Sequence, residues 1–190
     1  MAGVSAAGML GLLLFTLARQ SPARPVAASA AAGGPVAAGE SPPDLTKMSP
    51  RERFNRLYNR VMQAAQAGDE ATVSRFTPMA LAAYEMLDSL DADARYHAAL
   101  IRAHTGEVEA ARALGDSILA RTPGHLLGYV VLGTAARWRK DDKALRQAYR
   151  AFLAGYDAEM KANRPEYSEH RFSIEEFRRA AQGAPGAAGS

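Results

Sequence analysis

The chain has 190 residues, 48% hydrophobic and 23% charged, with no cysteine. That length fits one domain, and the missing cysteines exclude disulfides, thiolate zinc sites, a catalytic thiol and a lipid-modified N-terminal cysteine. A balance of 23 basic against 20 acidic residues lacks the basic footprint of a nucleic-acid binder, so no nucleic-acid partner is expected.

Residues 1–18 carry no charged side chain, and Met9-Leu10-Gly11-Leu12-Leu13-Leu14-Phe15 is their apolar heart. An uncharged run of this length lies at the short limit for spanning a bilayer and predicts a transmembrane anchor or signal-like helix. A cleaved signal peptide would want Lys or Arg before the apolar core, and Ala28-Ser29-Ala30 lies far beyond it for a cleavage site, so an uncleaved anchor fits better. Residues 19–46 are Ala, Pro, Gly and Ser with four charges. They cannot bury enough surface to offset the entropy of ordering and predict a disordered tether. Arg19 and Arg24 after the apolar run would leave the domain in the cytoplasm by the positive-inside rule. Anchor followed by Ala/Pro/Gly tether is, however, similar to bacterial envelope proteins that display a domain outside the inner membrane. The extracytoplasmic side is taken as the expectation, with the cytoplasmic side open.

Residues 47–182 predict a helical domain and residues 183–190 a frayed tail. Ser49-Pro50-Arg51-Glu52 reads as an N-cap, a first-position proline and a capping box. The helix behind it shows Phe54, Leu57, Tyr58, Val61, Met62 and Ala65 on one face and stops at Gly68-Asp69. Thr77-Pro78 predicts a second start, hence a short helix and then a fresh one reaching Leu87. Further helices are expected at 92–104, 107–121, 125–138 and 141–162, parted at Gly106, Pro123-Gly124 and Asp141-Asp142. Residues 164–172 read as an extended link whose Tyr167, His170 and Phe172 pin a terminal helix. Ser173-Ile174-Glu175-Glu176 reads as the capping box that opens that helix, which runs through Phe177 to Ala181. No segment alternates like a strand, so the fold class is all-α.

Chemistry-bearing patterns are few. There is no nucleophile elbow, phosphate-cradling loop or dinucleotide fingerprint, so no catalytic residue and no cofactor is assigned. His97 and His104 share a helix face but stand about 10 Å apart along the axis at 1.5 Å per residue, too far for one ion, so no metal is assigned either. Asp88, Asp91 and Asp93 are explained as caps at a helix junction. The basic runs Arg137-Trp138-Arg139-Lys140 and Arg178-Arg179 read as solvated helix surface, diluted by Asp141, Asp142, Glu175 and Glu176. Trp138, the only tryptophan, reads either as a partner anchor or as cover for a junction between helices.

Paired helices suggest a period of about 34 residues. In the window from Leu126, Tyr129, Leu132, Gly133 and Ala136 resemble the tetratricopeptide pattern W-x2-L-G-x2-Y, with Tyr for Trp and Ala for Tyr. In the window from Ala92, the residues Ala98, Ala99, Ala111 and Pro123 fall where that family has small residues and its closing proline, while Arg95, Arg102 and Gly115 depart from it. A first window from Phe54 keeps only Gly68-Asp69. The resemblance covers roughly residues 50–160. It implies an α-solenoid of about three helix hairpins plus a C-terminal capping helix, with a groove lined by first helices that binds proteins. The groove residues it implies are Asn55, Tyr58, Met62, Tyr96, Leu100, His104, Val130, Thr134, Arg137 and Trp138. Their aromatic and aliphatic character suits an apolar partner segment and not a carboxylate clamp. The expectation is a membrane-anchored, non-enzymatic scaffold for protein partners in a membrane or envelope complex. The alternative is a structural accessory subunit held permanently in such a complex by its transmembrane helix.

Overall fold

Eight helices and no strand make up the described residues, 48–184 of the computed structural model. They are α1 (Pro50–Ala67), α2 (Glu70–Glu85), α3 (Ala92–His104), α4 (Val108–Arg121), α5 (Leu126–Trp138), α6 (Asp142–Lys161), α7 (Pro165–Glu169) and α8 (Arg171–Gly183). The expected anchor (1–18), tether (19–46) and most of the tail lie outside the described residues. No helix among the described residues is long and apolar enough to cross a membrane.

Local chemistry sets most boundaries. The α1 capping box forms: the Glu52 N–H donates to Ser49 Oγ at 3.3 Å, and the Ser49 N–H donates to the Glu52 carboxylate at 2.9 Å. Gly68 ends α1 at φ 70°, a left-handed conformation that costs a glycine little. Asp69, Asp91 and Asp141 cap α2, α3 and α6 by accepting from the N–H groups of Thr72, Ala94 and Ala144.

Two boundaries differ from expectation. The helix does not restart at Thr77-Pro78; α2 runs through Pro78, which is exposed. The carbonyl that proline leaves without a donor belongs to Ser74, also exposed, so water can satisfy it. Ala80, Ala83 and Tyr84 meanwhile hold the second half of the helix in the core. Thr77 caps nothing, and its buried hydroxyl has no hydrogen-bond partner. The segment 164–172 is not extended either. It contains the short α7, and α8 begins two residues before Ser173, which interacts with the Tyr96 hydroxyl instead of capping.

Consecutive helices pack as neighbours: α1 on α2, α3 on α4, α4 on α5 and α5 on α6, with α1 also touching α3 and α3 touching α5. Phe54, Val61, Ala80, Tyr84 and Ile101 anchor one apolar cluster. Tyr96, Ile118, Leu127, Phe152, Ile174 and Phe177 anchor a second. Small residues bring the α4 and α5 backbones together. A Cβ at Gly115 would stand 2.9 Å from Val131 Cγ1, and one at Gly128 only 2.7 Å from Leu119 Cγ. This close approach accounts for glycine at 115, one of the departures from the tetratricopeptide pattern. Arg95, another of the three departures, is buried and donates to the carbonyl of Asp91, the N-cap of its own helix, at 3.2 Å.

The chain end returns over α5 and α6. Phe177 meets the rings of Tyr149 and Phe152 edge-on at 4.9 and 5.0 Å. Tyr167 pins the return as expected: its hydroxyl accepts from the Leu126 N–H at 2.9 Å and donates to Glu159 at 2.6 Å. Phe172 does not contribute. It is 75% exposed, because a start of α8 at Arg171 turns it away from the core.

Candidate functional site

The ten residues expected to line a groove range from buried to exposed. Tyr96 and Val130 are buried, and α8 covers this part of the first-helix face. Phe177 lies so close to Gly133 that a Cβ there would stand 2.4 Å from its ring. Arg137, though exposed, is turned inward at its tip: it donates to the Tyr149 hydroxyl at 2.7 Å, and its guanidinium lies 5.7 Å from the Phe177 ring centre. Asn55, Tyr58, Met62, Leu100 and Thr134 are half-buried, with the Asn55 Oδ1 lacking a partner. His104 and Trp138 are exposed at the C-terminal ends of α3 and α5, and their rings meet edge-on at 6.2 Å. Trp138 keeps 52% of its surface open.

The basic runs are engaged within the chain. Arg139 pairs with Glu109. Arg178 lies 3.6 Å from Glu175 and 4.2 Å from the centre of the Tyr156 ring.

A second constellation was not anticipated as a unit. Asp93 and His97 stand four apart on α3, and His170 arrives from the junction of α7 and α8. His170 Nε2 lies 2.6 Å from Asp93 Oδ1, and His97 Nε2 lies 3.6 Å from the same oxygen. The other carboxylate oxygen faces Arg51 Nη1 at 3.6 Å, while Arg51 also pairs with Asp91. Of the three aspartates read as caps, Asp91 is one and Asp93 is not. The rings are wedged among aromatics. His97 stacks on Tyr58 at 3.9 Å, and His170 tilts against Tyr96 at 4.6 Å and meets His97 edge-on at 4.9 Å.

Burial pushes the His97 imidazolium down to about 4, against the opposing pull of Asp93, so the ring is neutral near pH 7. Burial works to raise the Asp93 carboxyl, but the His170 hydrogen bond and the charges around it outweigh burial and lower it. Burial also raises the Tyr58 phenol, helped by Tyr96 and Asp93. The Asp93-x3-His97 spacing was visible as a helical i, i+4 pair. His170, 77 residues from Asp93, gave no local signal.

Compared with protein-family models, curated proteins and solved structures, the chain matches none.

Proposed function

We propose that this chain is a tetratricopeptide-like helical-hairpin scaffold that holds protein partners of a membrane or envelope complex and performs no catalysis itself. In this reading α1–α2, α3–α4 and α5–α6 are the hairpins, and α8 is the capping helix that shields their last apolar face. The apolar residues 1–18 anchor it in the inner membrane, and residues 19–46 let the domain reach its partners from the extracytoplasmic side.

The observation that carries the reading is the exposed Trp138 set edge-on against His104, beside the half-buried Leu100 and Thr134. A solitary exposed tryptophan with a polar tip and a flat apolar face is the residue type that dominates interface energetics. The test is crosslinking of the full-length protein in its own membrane, with partners identified by mass spectrometry, for the wild type and for Trp138→Ala and His104→Ala. Loss of the same partner in both variants supports the reading. Capture unchanged in both overturns the face, and capture that depends only on residues 1–46 favours the accessory-subunit alternative.

A further inference from the structure

We propose that Asp93, His97 and His170 form a binding site for one divalent transition-metal ion of the zinc class, independent of the partner-binding face. The donor set is chemically apt: two imidazole nitrogens and one carboxylate oxygen are ligands that zinc takes in three-residue sites, leaving a fourth position to water or another donor. The three donor atoms lie within 4.8 Å of one another. Around a tetrahedral ion with bonds of about 2.0–2.1 Å, donors stand roughly 3.3 Å apart. The separations from Asp93 Oδ1, 2.6 Å to His170 and 3.6 Å to His97, bracket that value, so small side-chain rotations complete the site.

Three features mark the arrangement as more than a hydrogen-bonded pin. Both imidazoles present the same nitrogen, Nε2, to a single carboxylate oxygen. Tyr58 and Tyr96 hold the two rings in place, so little entropy is lost on ligation. His97 is buried yet makes no hydrogen bond: its Nε2 is too far from Asp93, and its Nδ1 has no partner. The Nε2 lone pair faces Asp93 Oδ1 from beyond hydrogen-bond reach and is available for a metal bond. Arg51 neutralises the second Asp93 oxygen and so favours monodentate ligation, while its own pairing with Asp91 moderates its repulsion of a cation. The side chains of Asp93 and His170 remain 17% and 13% exposed, which gives an ion a way in from solvent. A bound ion would tie α3 directly to the start of α8.

The test is titration of the full-length, untagged, metal-free protein with zinc sulfate, followed by calorimetry. One zinc per chain is expected, with binding weakened more than about a hundredfold in His97→Ala and in His170→Ala, beyond the usual loss of an outer-shell partner. Zinc should raise the melting temperature of the wild type and leave those of the variants unchanged. Asp93→Asn, which keeps the shape of the side chain, should weaken binding by at least about tenfold. Nitrogen chemical shifts of the imidazoles in the wild-type chain locate the ion without relying on any variant. Movement at His97 and His170 with His104 and His125 still supports the site. No uptake, uptake undiminished in a folded His97→Ala/His170→Ala double variant, or shifts confined to His104 and His125 overturn it.

Discussion

The Phe177 ring of α8 rests directly on Gly133 of α5. No other residue at 133 allows this seat, since even a methyl group would stand 2.4 Å from the ring edge and 2.5 Å from its tip. The contact decides how much of the first-helix face stays open, because α8 packs over part of α5 and α6.

Gly133→Ala should therefore destabilise the domain although alanine is the better helix former, by about 1–3 kcal/mol as overpacking usually costs. The loss should shrink when Phe177→Leu is added, because the smaller side chain relieves the clash. Urea denaturation of the two single variants and the double variant measures this coupling.

Tyr167→Phe removes the acceptor of the buried Leu126 N–H and the donor to Glu159 without changing side-chain shape. A buried donor left without a partner predicts a loss of about 1–3 kcal/mol, read from the denaturation midpoint. Ser168→Ala, at an exposed neighbour on the same short helix, should cost much less.

Acid should weaken the fold before the carboxylates titrate. Burial lowers the His125 imidazolium below its ordinary range, against Glu166 at 3.0 Å and the nearby Glu159, with Arg164 adding to the lowering. His97, facing Asp93, Asp91, His170, Arg51, Tyr58 and Tyr96, is lowered further, to about 4. Above pH ~6.5 both rings are neutral in the folded and the unfolded chain, and their contribution to stability does not change with pH. As pH falls below that value the unfolded chain takes up protons that the fold refuses, so stability drops. For His97 the drop continues to about pH 4. For His97 alone it amounts to about 3 kcal/mol across that window. Denaturation in chelator, from about pH 7.5 down to about pH 5, should show this slope, and His125→Gln should make it shallower, leaving the His97 part.

Trp138→Ala and Tyr96→Ala should part company. Trp138 is half exposed, and its loss should cost less than about 1 kcal/mol while diminishing partner capture. Tyr96 is 2% exposed, and truncating it should cost about 3–5 kcal/mol. Any loss of capture in the Tyr96 variant then follows unfolding, as circular dichroism at the assay temperature would show.

Helix boundaries were legible wherever the stop and start signals are local. The capping box at Ser49, the left-handed Gly68 and the aspartate caps at 69, 91 and 141 act within one turn, so α1, α3 and α6 lie close to where their residues predict. Pro78 and Ser173 are read wrongly from neighbours alone. Both bear local start signals, and in both places packing from elsewhere in the chain prevails: Tyr84 and Ala80 carry α2 past Pro78, and Tyr96 engages Ser173. The histidines show the same division. Asp93 and His97 are a visible pair on one helix, whereas His170 joins them only because Ile174 and Phe177 find their apolar seat on the earlier helices.

By itself the sequence determined the all-α class, most of the helix ends and the chemistry available to each face, because capping and helical periodicity act over a few residues. Only the tertiary structure decided which faces remain open and which distant side chains meet. Those outcomes depend on how Phe177, Ile174 and Tyr167 dock against helices far away in the chain, a matter of shape complementarity that no local spacing encodes.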